Sequence, residues 1–184
     1  MLNNKKNTFG QHDNESGSYY FHSISKPDFF SHLQENLIVD VCIIGGGLTG
    51  VISALNLAKN GYKVVLLEAR KVGWGASGRN GGQLSFGLRR DQIYIEKLLG
   101  VNHAKELWNL GLEAVQDVKD YISTYKIDCG IQQGVMHAGY YKKDYVNFHN
   151  EIEHLQKNYD FDNFKYFDAK EIQEQINSKK YYSG

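Results

Sequence analysis

The sequence predicts an α/β fold organised around a parallel βαβ unit, and three observations predict it. Residues 39–44 form a short apolar, β-branched run stopped by Gly45. Residues 63–68 form a second such run and end on an acid, Glu68. Between them, Val51, Ala54, Leu55, Leu57 and Ala58 recur at helical spacing. Two strands joined by a single helix require a right-handed parallel crossover.

The elements follow in chain order. Residues 1–17 are rich in Asn, Lys, Gln, Ser and Gly, with few apolar anchors, and are expected to fray. Residues 18–36 add Tyr19, Tyr20, Phe21, Phe29 and Phe30, which predict an aromatic arm packed on the domain; Pro27, the only proline, lies in this arm. Both strands are near-continuous apolar runs, so they are expected to be buried, and Cys42 reads as a small buried hydrophobe. The helix over 48–60 is stopped by Asn60-Gly61.

Beyond the second strand, residues 72–87 are glycine-rich, and eleven of the 19 glycines fall between 45 and 87. Helices are predicted over 102–125, with Leu107, Ala114, Val118, Ile122 and Tyr125 on one face, and over 144–159, with Tyr145, Phe148, Ile152, Leu155 and Tyr159. Residues 129–141, between these helices, read as a strand. Asp168 and Glu171 form a capping box that opens a short helix carrying Ile172 and Ile176.

Composition narrows the function classes. Lys+Arg and Asp+Glu each total 21, so the formal net charge is zero and gives no electrostatic case for nucleic acid. Lys5 and Lys6 precede polar residues rather than an apolar core, so no secretory signal is read, and no apolar run is long enough for a membrane span. Cys42 and Cys129 lie far apart without a CxxC, which makes a reducing, cytoplasmic setting the default. Seven histidines without metal-ligand spacing assign no metal site.

The chemistry lies in the glycine turn. Gly45-Gly46-Gly47-Leu48-Thr49-Gly50 satisfies GxGxxG with a strand before it, a helix after it and a second strand ending in an acid. Gly45 permits the tight turn, Gly47 lets backbone amides approach a pyrophosphate, and Gly50 lets the helix pack close to the strand. The helix N-terminus adds amide donors and a positive dipole end. Glu68, eighteen residues after Gly50, stands where a carboxylate can accept bonds from ribose hydroxyls, which argues against a 2′-phosphate and NADP. Arg70 and Lys71 read as solvated cations.

The βαβ unit alone leaves FAD and NAD open. Gly73–Gln83 favours FAD, because a long small-residue loop directly after the ribose acid suits a second cradle for a longer cofactor. In it Ser77 and Asn80 can bond phosphate or ribitol oxygens, Arg79 can offset phosphate charge, and Gly81 and Gly82 can lie against a flat ring. Leu48, Thr49, Ala69, Gly75 and Ala76 complete the candidate cofactor-binding set as neighbours of these groups.

Asp40–Gly50, with Ala54, Leu57, Gly61 and Leu67–Arg70, resembles FAD-dependent oxidoreductases of the D-amino acid oxidase superfamily. Through Val72–Gln83 and Ser18-Tyr19-Tyr20, the chain is most similar to the γ-glutamylputrescine oxidoreductase branch. The resemblance implies an oxidoreductase with noncovalent FAD that oxidises a small-molecule amine, with O2 as acceptor and H2O2 as product. It implies that Gly45, Gly47 and Gly50 contact the pyrophosphate and Glu68 the adenosine ribose. Arg70 would lie at the adenine end, and Ser77, Asn80, Gly82 and Gln83 would run toward ribitol and flavin. At less than half the family's usual length, the chain is expected to be an N-terminal part. The expected division is an N-terminal extension and arm (1–36), the beginning of a Rossmann-like FAD-binding domain (37–128), and the start of an incomplete α+β substrate domain (129–184). No catalytic residue is assigned, and His137 and Tyr140 are given packed or solvated roles. Two other readings stay open: a noncatalytic, truncated nucleotide-binding module, and an NAD-dependent dehydrogenase.

Overall fold

The computed structural model describes residues 18–23 and 30–184. The expected fraying of 1–17, and Pro27 and Phe29 of the arm, lie outside the described residues. The chain divides into two compact units, 1–82 and 83–184.

In the first unit, β1 (Val41–Ile44) and β2 (Val64–Leu67) pair in parallel, with Val41 opposite Val64 and Ile44 opposite Leu67. Helix α2 (Leu48–Lys59) makes the crossover between them. Asp40 fastens the open end of the pair, where its carboxylate accepts from the Lys63 amide at 2.7 Å. Helix α2 ends where expected: the Asn60 side chain donates back to the Asn56 carbonyl at 2.8 Å, and Gly61 follows at φ 86°.

The expectation of buried strands is corrected. Val41 and Ile43 are half-buried, whereas Cys42 is exposed and Ile44 is 87% exposed. The cause is geometric. Alternate residues of a strand point to opposite faces, and among the described residues α2 packs on only one of them. Ile43 is on the helix side, its Cγ2 3.5 Å from where a Cβ on Gly50 would stand. Cys42 therefore does not act as a buried hydrophobe here.

The arm is helical over Tyr19–Ser23, named α1, and lies against the glycine-rich loop of the same unit. The Ser18 hydroxyl donates to the Gly78 carbonyl, and the Lys71 ammonium sits 4.5 Å from the Phe21 ring centroid.

The second unit is helical: α3 (Gln92–Leu99), α4 (Val101–Thr124), α5 (Lys142–Tyr159) and α6 (Ala169–Gln175). Asp91 caps α3 by accepting from the Tyr94 amide at 2.7 Å, and Gly100, at φ 80°, separates α3 from α4. The buried core is Ile95, Ala104, Trp108, Leu155 and Ile172. On α4 the buried positions are thus Ala104 and Trp108, whereas Ala114 and Tyr125 of the expected face are exposed. Trp108 draws the face toward itself through ring contacts with Phe86, Tyr159 and Phe161, at centroid distances of 4.9, 5.2 and 5.4 Å. The capping box of α6 forms as read: Asp168 accepts from the Lys170 and Glu171 amides, and Glu171 accepts from the Asp168 amide.

The strand expected over 129–141 does not form. Gly130 and Gly134 take φ of 60° and 87°, outside the extended region, and interrupt any ladder. What remains is one antiparallel bridge, in which Gly139 donates to the Ser183 carbonyl at 2.7 Å. Gly184 exchanges two backbone bonds with Phe167, at 2.7 and 3.0 Å. His137 is exposed, and Tyr140 is exposed with its ring against Tyr141 and Tyr181.

Candidate dinucleotide site

The site is built where β1 turns into α2. Gly45 takes φ 108°, closed to most side chains, and its amide is held by the Leu67 carbonyl at 2.8 Å. Gly50, one turn into the helix, faces the Gly45 carbonyl so closely that a Cβ would overlap the oxygen. Gly47 is the N-cap and gives the helix no side-chain cap, and the first turn carries no acid. The first amides of α2 have no intrahelical acceptor, so this end presents donors and a positive dipole terminus.

Two groups converge on this turn from later in the sequence. From the end of β2, Glu68 accepts from the Gly46 amide at 2.6 Å through one carboxylate oxygen and from the Arg70 amide at 2.9 Å through the other. From the glycine-rich loop, the Ser77 hydroxyl accepts from the Leu48 amide at 3.0 Å. The loop is tied a second time, by the Gly73 amide on the Gly46 carbonyl at 2.8 Å. A Cβ on Gly47 would stand 3.0 Å from the Ser77 oxygen, so a side chain there would press on the loop at this contact.

The loop has its own order. Gly75 precedes a short 3-10 turn, Ala76–Gly78. Asn80 donates to the Ser77 carbonyl at 2.9 Å and accepts from the Gly82 amide at 2.8 Å, so its amide group braces the loop from within. Arg79 donates to the Trp74 carbonyl at 3.0 Å. Trp74 carries the guanidinium of Arg70 at 3.7 Å and that of Arg79 at 5.0 Å from its ring centroid. Arg70 and Lys71, read as solvated cations, are thus both set over aromatic rings.

Most of the candidate residues are brought together within the first unit: Gly45, Gly47, Leu48, Thr49 and Gly50 at the turn, Glu68, Ala69 and Arg70 at the end of β2, and Gly75, Ala76, Ser77, Arg79, Asn80, Gly81 and Gly82 in the loop. Gln83 begins the second unit and is exposed. Gly46, Gly73 and Trp74 lie in the two motifs but are not among the candidate site residues. Gly46 is the one buried residue of the turn and bonds both Glu68 and Gly73. Trp74, with arginines four residues before it and five after, carried a readable signal for stacked guanidiniums.

The residues fit a pyrophosphate-bearing dinucleotide. The glycine turn has no space for side chains at Gly46, Gly47 and Gly50, the helix end supplies donors, and the acid that would take a ribose is held against the turn by the Gly46 amide. Among the described residues no group of His, Cys, Asp or Glu could hold a metal ion, and no helix is long and apolar enough to cross a membrane.

Comparisons with known proteins bear on the family and its cofactor. The family model described as DAO, FAD dependent oxidoreductase, matches residues 40–184. The chain is 37% identical over 166 residues to γ-glutamylputrescine oxidoreductase of Escherichia coli K12, covering 90% of this chain and 39% of that protein. It is 32% identical over 167 residues to the probable oxidoreductase OrdL of Haemophilus influenzae, again covering 39% of that protein. A glycerol-3-phosphate dehydrogenase of Mycobacterium leprae is 44% identical over 69 residues, 32% of this chain. The chain therefore spans about two fifths of the length of the first two relatives. No solved structure gives a significant match.

Proposed function

The chain belongs to the DAO family of FAD-dependent oxidoreductases, and from that premise we propose that it is the FAD-binding portion of an enzyme oxidising γ-glutamylputrescine or a related amine. The name of the Escherichia coli relative supports the substrate class. FAD, when bound, would supply the two-electron acceptor for oxidising the amine to an imine, which water hydrolyses to an aldehyde, with O2 as the final acceptor and H2O2 as its product.

This chain's own residues bind and orient. In the proposal the pyrophosphate lies against the turn Gly45–Gly47 and Leu48, and the Thr49 and Gly50 amides at the start of α2 receive it, the Leu48 amide being held by Ser77. Glu68, its carboxylate aimed by the Gly46 and Arg70 amides, takes the adenosine ribose. Arg70 and Ala69 flank the adenine end. The loop from Gly75 through Gln83 extends toward ribitol and flavin, with Arg79 offsetting phosphate charge. The fragment reading, the domain division 1–36, 37–128 and 129–184, and a cytoplasmic location belong to the same proposal. One observation carries it: the ribose acid and the second loop meet at a single helix end, through Glu68 on Gly46 and Ser77 on Leu48. A nicotinamide domain normally passes from its second strand into another helix rather than into such a loop.

Titration of the purified chain with FAD and with NAD, followed by flavin and nicotinamide fluorescence, tests the cofactor. Preferential retention of FAD supports the reading, and preferential retention of NAD overturns it. A form extended to the relatives' length, assayed for peroxide with γ-glutamylputrescine and other amines, tests the substrate. Reduction of bound FAD by none of them sinks the amine assignment.

A further inference from the structure

The aromatic arm touches the glycine-rich loop at two points, Gly78 and Gly82. Ser18 donates its hydroxyl proton to the Gly78 carbonyl, sixty residues away. Tyr20 lies against Gly82: a Cβ built on Gly82 would stand 2.5 Å from the Tyr20 phenolic oxygen and 3.5 Å from its ring carbon Cζ. Gly82 is at φ 70° and donates its amide to Asn80, whose own amide reaches Ser77. The arm therefore contacts one residue within the Ser77–Asn80 brace, Gly78, and one just beyond it, Gly82. Ser18, Tyr19, Tyr20, Arg79 and Asn80 line an open cleft of about 370 Å³ between arm and loop.

A glycine-rich loop has little of its own to hold one conformation. Each glycine costs more backbone entropy to order than other residues, and residues 73–82 contain Gly73, Gly75, Gly78, Gly81 and Gly82. Bonds to the turn and to α2 fix its first half, Gly73 on the Gly46 carbonyl and Ser77 on the Leu48 amide. Among the described residues, the arm fastens the second half from outside, at Gly78 and Gly82.

We infer that the arm is a clasp that sets the conformation of residues 78–82, which makes Ser18 and Tyr20 positioning residues for the flavin side of the cofactor site. This rests on the FAD reading for its consequence, but the clasp itself does not. A preorganised loop lowers the ordering cost of binding, so the clasp acts on affinity without touching the reacting atoms.

The test uses the full chain and three variants, Ser18→Ala, Tyr20→Phe and Tyr20→Ala. Amide hydrogen exchange is read at residues 76–82, with β1 and β2 as the internal control for folding. Loss of one side-chain to backbone bond predicts about fivefold faster exchange in Ser18→Ala. Tyr20→Ala is expected to speed exchange at Gly82 by a similar factor, and Tyr20→Phe, which keeps the ring, to restore most of the protection. FAD affinity, read by flavin fluorescence, should weaken in parallel and recover with Tyr20→Phe. Unchanged exchange at 76–82 in both alanine variants overturns the clasp. Faster exchange with wild-type FAD affinity overturns the positioning role. Failure of the wild-type chain to bind FAD, with the exchange differences intact, overturns the cofactor reading and leaves the clasp standing.

Discussion

The Ser77 hydroxyl accepts a 3.0 Å hydrogen bond from the Leu48 amide, joining the glycine-rich loop to the first residue of α2. A helix's first amides need acceptors from outside the helix, and in this chain the acceptor comes from the segment proposed to cradle the far half of the cofactor. Ser77→Ala removes it without adding bulk. With a net worth of about 1 kcal/mol for such a bond, FAD affinity is expected to fall about fivefold while β1 and β2 keep their pairing. Flavin fluorescence titration, with far-UV circular dichroism as the folding control, measures both.

Gly50→Ala acts on the fold beneath the site. The added methyl would overlap the Gly45 carbonyl, backbone against backbone, and neither partner can rotate away. The helix must lift from β1, breaking the approach that places the α2 terminus over the turn. The expected cost is about 2–3 kcal/mol of stability in the first unit, with loss of FAD retention. Thermal unfolding followed at the flavin and in the far ultraviolet separates the two effects.

The βαβ unit was legible because its signals are local: two apolar runs, a helical period and glycines at fixed offsets all sit within residues 39–68. Burial was not, because the exposure of Cys42 and Ile44 depends on what packs over the sheet, which no run of six residues records. The bridge of Gly139 with Ser183 was hidden for a related reason. Pairing is a property of two distant segments, whereas the glycines that break the expected strand lie in one. At the site, residue types named the turn and the acid correctly as neighbours. The internal bracing by Asn80 and the arginine contacts with Trp74 needed three-dimensional placement.

Trp108 organises the second unit, with Phe86, Tyr159 and Phe161 around it. Its indole nitrogen is buried and makes no hydrogen bond among the described residues. The two facts separate two substitutions. Trp108→Ala empties the cluster and is expected to cost about 3–5 kcal/mol. Trp108→Phe keeps a ring and discards an unsatisfied donor, so it should cost under about half as much. Urea unfolding of the two variants, compared by midpoint, gives the ordering.

Two carboxyls of the second unit respond to acid in opposite directions. Glu96 is partly buried, which raises its carboxyl, but hydrogen bonds from Tyr159 and His154 and the charges of His154 and Lys105 outweigh this and hold it below its ordinary 4.5. A lowered carboxyl contributes stability that is complete above the unfolded value and lost as pH falls through the folded one. Glu151 is opposite: burial first, then Asp91, raise it against His137 and His154. Its favourable protonated state is complete below 4.5 and lost as pH rises through the raised value, so at neutral pH its ionised form is a penalty. Glu96→Gln is therefore expected to destabilise the second unit at about pH 7 and to cost progressively less below 4.5. Glu151→Gln should stabilise it at about pH 7, with the gain shrinking as acid protonates the native residue. Amide exchange in α5 across this range reads both, and parallel curves for the two variants would refute the assignment of opposite signs.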